Sequence, residues 1–195
     1  MIKAVKQTLF GVDLKMPAYT VIKEAEGYEE RDYDPSTWVT TSPVKTMKMK
    51  DGGSDHFWQL FNYIQGKNNK EQKIEMTVPV LRKVIAGGGP ACEGSIDMSF
   101  YVPPEFQDDP PTPNDANVSI SRLPAQKVIA RTFPGFAKDD KYLEEAQTLA
   151  QLIDGKYNVH EEYFYTAGYD SPWKMFNRRN EVWFVVKEGQ TTSIE

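Results

Sequence analysis

The sequence predicts an α+β fold: a distorted antiparallel β-barrel of about eight strands, built from two pseudo-repeated strand–strand–helix–strand–strand units and flanked by two helices. Three observations predict it. Short runs alternate apolar and polar residues with the period of two that half-buried strands require. Two longer runs carry apolar residues at helical spacing. The order of these runs up to Val102 recurs between Val118 and Lys187.

The first unit opens with an alternating run at Ala18–Ala25 and a second short strand at Tyr28–Tyr33, which Asp34-Pro35 ends as a turn. Trp38–Met49 is rich in Val and Thr and reads as one long strand. Asp51-Gly52-Gly53 breaks it, and Ser54 or Asp55 can then accept hydrogen bonds from the free N–H groups of a helix over Ser54–Gln65. Phe57, Leu60, Phe61 and Ile64 share its core-facing side, with Trp58 and Asn62 on a flank and Gly66 at the C′ position. Strands follow at Met76–Ile85 and Ser95–Val102, joined by Gly87-Gly88-Gly89-Pro90. No Lys-Ser/Thr pair follows that triple glycine, so it reads as a hairpin loop and not a phosphate loop.

Five prolines and four acidic residues make 103–117 a stiff surface loop. The second unit runs through strands at Val118–Leu123 and Gln126–Phe133, then a helix over Lys138–Asp154. Tyr142, Ala146, Leu149 and Ile153 lie on one face of that helix. The last strands are Glu161–Tyr169 and Glu181–Lys187. No linker separates the units except the proline-rich loop. Residues 1–195 are therefore expected to form a single domain, with 1–16 as a leader that docks or frays and 188–195 as a frayed tail.

Composition narrows the function. The chain has 195 residues, 39% of them hydrophobic, and a formal charge of only −5, as an ordinary globular protein has. Mild acidity and the lack of a basic stripe argue against nucleic acid, since the densest basic stretch, Lys67–Lys73, is interrupted by Glu71 and neutral residues. No window approaches the roughly 20 apolar residues of a membrane span. One cysteine, Cys92, permits no internal disulfide, which fits a reducing compartment. Together with the absence of a signal-peptide pattern, this gives a cytoplasmic expectation.

Catalytic signatures are missing. Two histidines, His56 and His160, cannot assemble a zinc site of ordinary composition. No nucleophile elbow, His-Glu-x-x-His or Cys-x-x-Cys occurs. The carboxylate pairs Glu29-Glu30 and Glu161-Glu162 are adjacent on strands and point to opposite faces. No enzymatic activity is expected. The aromatic content, with 10 Tyr, 10 Phe and 4 Trp, points instead to apolar contact. Tyr169–Arg179 mixes Tyr169, Trp173, Met175 and Phe176 with Lys174, Arg178 and Arg179. An apolar wall with a basic rim suits a flat ligand bearing carboxylates. On composition alone, the plainer reading is that these aromatics simply cap the barrel.

Several motifs in order carry a resemblance that favours the first reading. Tyr63–Val80, Thr166–Lys174, Asn177–Trp183, the opening Gly27–Pro35 and the loop around Asp109-Pro-Pro111 resemble the SOUL/heme-binding protein family, over about Leu9 to Val186. The resemblance implies the same helix-flanked antiparallel barrel. It also implies a non-catalytic protein that reversibly binds heme or protoporphyrin, a tetrapyrrole small molecule, for buffering or transport. One binding mode of the family places an iron-ligating histidine after the Tyr-Glu-x-Arg of the early strand; Asp32 stands there, so that mode is not expected. The other lays the tetrapyrrole on the first helix and the loop before the last strand. It implies contacts from Phe57, Trp58, Phe61, Asn62, Trp173, Lys174 and Met175. Lys174 matches the loop lysine of that mode, whereas Ser54, Asn62 and Phe57 replace an arginine, a lysine and a methionine.

His56 could stand in as an iron ligand at the helix start; a surface histidine without a role is the plainer reading. Two alternatives remain open. One branch of the family is linked to cell death through a BH3-like helix, here Leu149–Asp154, which would engage a Bcl-2-type protein partner. An effector-binding or hydrolytic module of similar architecture would use a buried acid, here Glu181, although an ion pair with Arg178 or Arg179 would explain that residue as well.

Overall fold

Alternation of apolar and polar residues commits most of the chain to one large sheet. The computed structural model describes residues 7–9, 12–46, 53–85, 94–171 and 173–187. Its elements are β1 (Gln7–Leu9), β2 (Val12–Leu14), β3 (Tyr19–Ala25), β4 (Tyr28–Tyr33), β5 (Ser36–Thr41), β6 (Val44–Thr46), α1 (Gly53–Ile64), β7 (Val80–Ile85), β8 (Gly94–Tyr101), β9 (Val118–Leu123), β10 (Gln126–Phe133), α2 (Asp139–Ile153), β11 (Tyr163–Gly168) and β12 (Asn180–Val185). Ten strands, all antiparallel, form a curled sheet in the order β3-β4-β10-β12-β11-β7-β8-β5-β9, with β6 paired to β8. The α+β class is as expected. The strand count is higher than eight, and the path stays open as a half-barrel, with β3 and β9 at its ends.

The strand order carries the duplication that element order suggested. Unit 1 is β4-β5-α1-β7-β8 and unit 2 is β9-β10-α2-β11-β12. Reading outward from the central β7–β11 pair, each unit contributes three strands to its own half and lends its first strand to the other: β4 pairs with β10, and β9 pairs with β5. The helices obey the same symmetry, α1 packing on β5 and β8, α2 on β10 and β12.

Directly opposed residues share a face of a sheet. The row Val39, Phe100, Val80, Gly168, Asn180, Phe133 crosses six strands through consecutive pairings. Phe57 of α1 meets Phe100 with ring centroids 5.5 Å apart, and Tyr142 of α2 meets Phe133 at 5.3 Å. Both helices therefore cover the same face. The neighbouring row, Thr40, Ser99, Leu81, Ala167, Glu181, Thr132, lies on the opposite face. There, Trp38, Leu81, Val128, Ala167, Trp183 and Val185 form a separate core.

Several boundaries differ from the sequence reading. The long strand expected over 38–49 is interrupted, because Pro43 has no N–H for the ladder and the Ser42 amide bonds the Asn117 carbonyl at 2.7 Å instead. Met47–Met49, with Cys92 and the Gly87–Pro90 loop, lies outside the described residues. The strand expected from Met76 starts only at Val80; the Val78 amide before it bonds the Lys15 carbonyl, 3.0 Å away. Part of the leader pairs as β1 and β2, and Leu14 and Met16 pack on the core of the face opposite the helices.

Candidate functional site

Helix α1 presents nearly the face its spacing suggested, with Phe57, Leu60, Phe61 and Ile64 all on one core, but turned slightly toward His56 and Tyr63. His56, Leu60, Tyr63 and Ile64 are its buried residues, while Phe57 and Phe61 are only partly buried. The wheel is rotated by about one residue because Tyr63 turns inward and donates its hydroxyl to the Pro111 carbonyl at 2.9 Å. Phe57 and Phe61 stack at 5.9 Å, and Trp58 meets both edge-on, at 5.7 and 5.4 Å. Trp58 itself stays 57% exposed. Asn62 is half-buried beside this cluster. The helix closes at Gly66, whose φ of +105° a side chain would strain and where a Cβ would come within 3.2 Å of the Glu71 carbonyl oxygen. Asn68, buried, holds the following loop by donating to the carbonyls of Tyr63 and Gln72.

His56 corrects an expectation. The plainer sequence reading made it a surface histidine, yet it is 3% exposed, and neither ring nitrogen has a hydrogen-bond partner. It follows Asp55 by one residue and precedes Leu60 by one turn, so it sits on the side of α1 that faces the sheet. Burial lowers its pKa, only partly opposed by Asp55, and the ring is neutral at pH 7.

The second group lies in the β11–β12 loop. Trp173 is 80% exposed and Phe176 81%, with Met175 also exposed. Lys174 is not a free rim cation. Its ammonium lies 2.6 Å from Asp170, whose side chain is buried and whose other oxygen accepts the Arg179 amide. Arg178 donates to the carbonyls of Ser171 and Lys174 at 2.7 and 2.8 Å and so folds the loop upon itself.

The helix group and the loop group are each internally assembled, but no ring contact or hydrogen bond joins them among the described residues. The register gives their relation. The loop leaves the sheet just past Gly168 and returns at Asn180, in the row that also contains Phe100 beneath Phe57. Only β7 lies between β11 and β8, so about 10 Å separates Gly168 from Phe100.

On the opposite face, Glu181 is fully buried and fully partnered. Arg31 grips it with two hydrogen bonds of 2.9 and 3.1 Å, and Arg179 donates to it at 2.6 and 2.9 Å. Trp183 Nε1, the Tyr169 hydroxyl and the Thr132 hydroxyl add bonds of 2.6, 2.8 and 3.0 Å. Burial alone would raise this carboxyl; the two guanidiniums overcome it and bring the pKa down to about 2. Sequence reasoning foresaw an arginine partner for Glu181 in Arg178 or Arg179; Arg179 is one, and Arg31 was missed. Its signal was an arginine on the inward parity of a strand, two residues from Tyr33. Asp32, by contrast, is half-exposed and 3.9 Å from Lys127. The apolar face of the BH3-like segment is occupied: Leu149 and Ile153 are buried against the sheet. Among the described residues, no three His, Cys, Asp or Glu side chains are placed to hold a metal ion.

Residues 14–185 match the model of the SOUL heme-binding protein family. The chain belongs to that family. It is 44% identical to Heme-binding protein 2 of Homo sapiens over 170 residues, covering 86% of this chain and 82% of that one. Heme-binding protein 1 of Xenopus laevis is 28% identical over 163 residues, covering 84% and 85%. Among solved structures, the C-terminal domain of EcmrR has a similar fold, with a TM-score of 0.59 at 10% identity, covering 88% of this chain and 99% of that one. Three of the five stretches that carry the resemblance meet in space: Gly27–Pro35 supplies Arg31 and Tyr33, Thr166–Lys174 supplies Tyr169, and Asn177–Trp183 supplies Arg179, Glu181 and Trp183. The motif residues thus build the buried network beneath the loop.

Proposed function

We propose that this SOUL-family chain is a single domain over residues 1–195 that reversibly binds a tetrapyrrole, heme or protoporphyrin, without catalysing a reaction. The observation that carries the reading is the set of large apolar side chains left uncovered at one end of the sheet: Trp58 on α1 and Trp173, Met175 and Phe176 on the loop. Single exposed apolar residues are ordinary, but three within four positions of one loop, at the end of the sheet row that also carries α1, favour a binding surface. A flat macrocycle fits that requirement. Its carboxylates fit less fully, because Lys174 is paired with Asp170 and Asn62 and Ser54 are uncharged. Apolar contact from Phe57, Trp58, Phe61, Trp173 and Met175 therefore dominates, with Asn62 and Lys174 at the rim.

The buried position of His56 supports binding that does not depend on iron. The full partnering of Glu181 supports the absence of turnover, since a carboxylate held by two guanidiniums has no lone pair for a cationic ligand or a proton transfer. The occupied face of Leu149–Asp154 leaves the Bcl-2-type partner without a surface unless α2 detaches. One cysteine fits a cytoplasmic setting, and no described helix is long and apolar enough to cross a membrane.

Parallel titrations with hemin and metal-free protoporphyrin, followed at the Soret band, test the reading. Saturable binding with affinities within about threefold of each other is expected. No saturable binding of either at concentrations on the order of 10 μM overturns it.

A further inference from the structure

Phe136 occupies the turn between β10 and α2, where it is 58% exposed. Among the described residues, the one ring contact of this side chain is with a guanidinium. Two residues from the end of the β11–β12 loop nevertheless fix its position. Asn180 donates its side-chain amide to the carbonyls of Phe133 and Gly135, at 3.4 and 2.9 Å, and accepts the Tyr142 hydroxyl at 3.2 Å. Gly135 has a φ of +92°, which a residue with a side chain adopts only under strain, so the turn's path is set on both sides of the clamp.

Arg178 makes the second connection. Its guanidinium carbon lies 4.5 Å from the centre of the Phe136 ring. The same guanidinium gathers the carbonyls of Ser171, Lys174 and Asp170, at 2.7, 2.8 and 3.4 Å. The planar fork of an arginine does both at once, stacking on a ring while its edge donates; a lysine cannot. Turn and loop are thereby one assembly, from which Phe136, Trp173, Met175 and Phe176 project. Among the described residues, Trp173 and Phe176 make no ring contact and Phe136 meets only the guanidinium, whereas the α1 aromatics already stack on one another. Among the described residues, the least satisfied apolar surface is therefore on unit 2.

We propose that Phe136 is a tetrapyrrole contact and that Arg178 is the positioning residue that joins it to the loop, so that the binding surface extends from residues 173–176 to the β10–α2 turn. This rests on the tetrapyrrole reading above and names a wall of that site. A surface held before the macrocycle arrives loses less ordering entropy on binding, which is what Arg178 contributes.

The test is a protoporphyrin titration, read by its fluorescence, of the wild-type chain and of Phe136→Ser, Phe136→Trp and Arg178→Lys. Phe136→Ser is expected to weaken binding about tenfold with an unchanged melting temperature, because the side chain is exposed. Phe136→Trp is expected to keep wild-type affinity. Arg178→Lys is expected to weaken binding and to speed amide exchange in 173–176 while leaving α2 unchanged. Wild-type binding with unaltered affinity in Phe136→Ser overturns the proposal and leaves the loop–α1 reading standing. Absence of wild-type binding overturns that reading itself. Should Phe136→Ser fail to fold, the wild-type amides of Gly135–Ala137 decide: protoporphyrin shifts their resonances, and unshifted resonances overturn the proposal.

Discussion

At Glu181 a carboxylate without solvent contact accepts hydrogen bonds from two guanidiniums, an indole and two hydroxyls. Removing one member of such a set leaves buried charge uncompensated, which costs about 3–5 kcal/mol. Glu181→Gln is therefore expected to lose stability in that range in a urea titration; a loss below about 1 kcal/mol would contradict the role given to the network. The pH dependence has a definite sign. The folded pKa is depressed to about 2 from an ordinary value of 4.5, so the stabilisation is complete above pH 4.5 and lost as pH falls through 2. The loop gives a second contrast. Trp173→Ala should weaken protoporphyrin binding about tenfold, and Lys174→Ala by less, because the lysine already holds an ion pair with Asp170. Equal losses in the two variants would show that charge, not ring contact, governs affinity. Lys174 was legible in the sequence as a cation near aromatics. Its partner was not, because Asp170 reaches it only after the loop has folded.

Spacing alone located both helices and most strands, since burial on one side imposes a period that local sequence must obey. It placed α1 within one residue at each end, at Gly53–Ile64. It found Leu60 and Ile64 on the buried side of α1, with Phe57 and Phe61 packed partly buried on the same core, but missed Tyr63, which donates to the Pro111 carbonyl, a partner 48 residues away. His56 was misjudged for the same reason: an imidazole beside Asp55 looks solvent-facing until the helix is seated. The seated ring has two unsatisfied nitrogens, and leaving such groups buried costs about 1–3 kcal/mol. His56→Leu is expected to raise stability at pH 7. The folded pKa lies below the ordinary value of 6.5, so the unfolded chain takes up the proton first, and wild-type stability falls as pH drops below 6.5. Comparing the melting temperatures of wild type and His56→Leu from pH 7 to 5 isolates this effect. Asp97, whose carboxyl burial raises to about 6 against the pull of Lys83, titrates identically in both. A gap that fails to widen toward pH 5 would mean that His56 finds a partner or solvent. Parallel hemin titrations complete the test: His56→Leu should leave the hemin-to-protoporphyrin affinity ratio unchanged.

Over the whole molecule the duplication was visible as element order, but the exchange of first strands was not. Nothing local in Tyr28–Tyr33 states that it will pair with Gln126–Phe133 and not with the adjacent Ser36–Thr41. The exchange interlocks the units, because neither half of the sheet is complete without a strand of the other. The central strands β12, β11, β7 and β8 are each flanked on both sides, and β3 and β9 are flanked on one. Protection of an amide follows the free energy of the opening that exposes it, and edges open at lower cost than the middle. Native-state hydrogen exchange should therefore be slowest, and similar, in β7 and β11, although they belong to different units. It should be fastest at β3 and β9. If the units opened independently, one member of the β7–β11 pair would exchange through its own unit's opening at a distinctly lower free energy. A difference well above 1 kcal/mol between Leu81 and Ala167, which face one another across that pair, would contradict a shared cooperative core. Protoporphyrin should slow exchange in 173–176 while leaving these two amides in step, because the β11–β12 loop is an excursion from the sheet and not one of its strands.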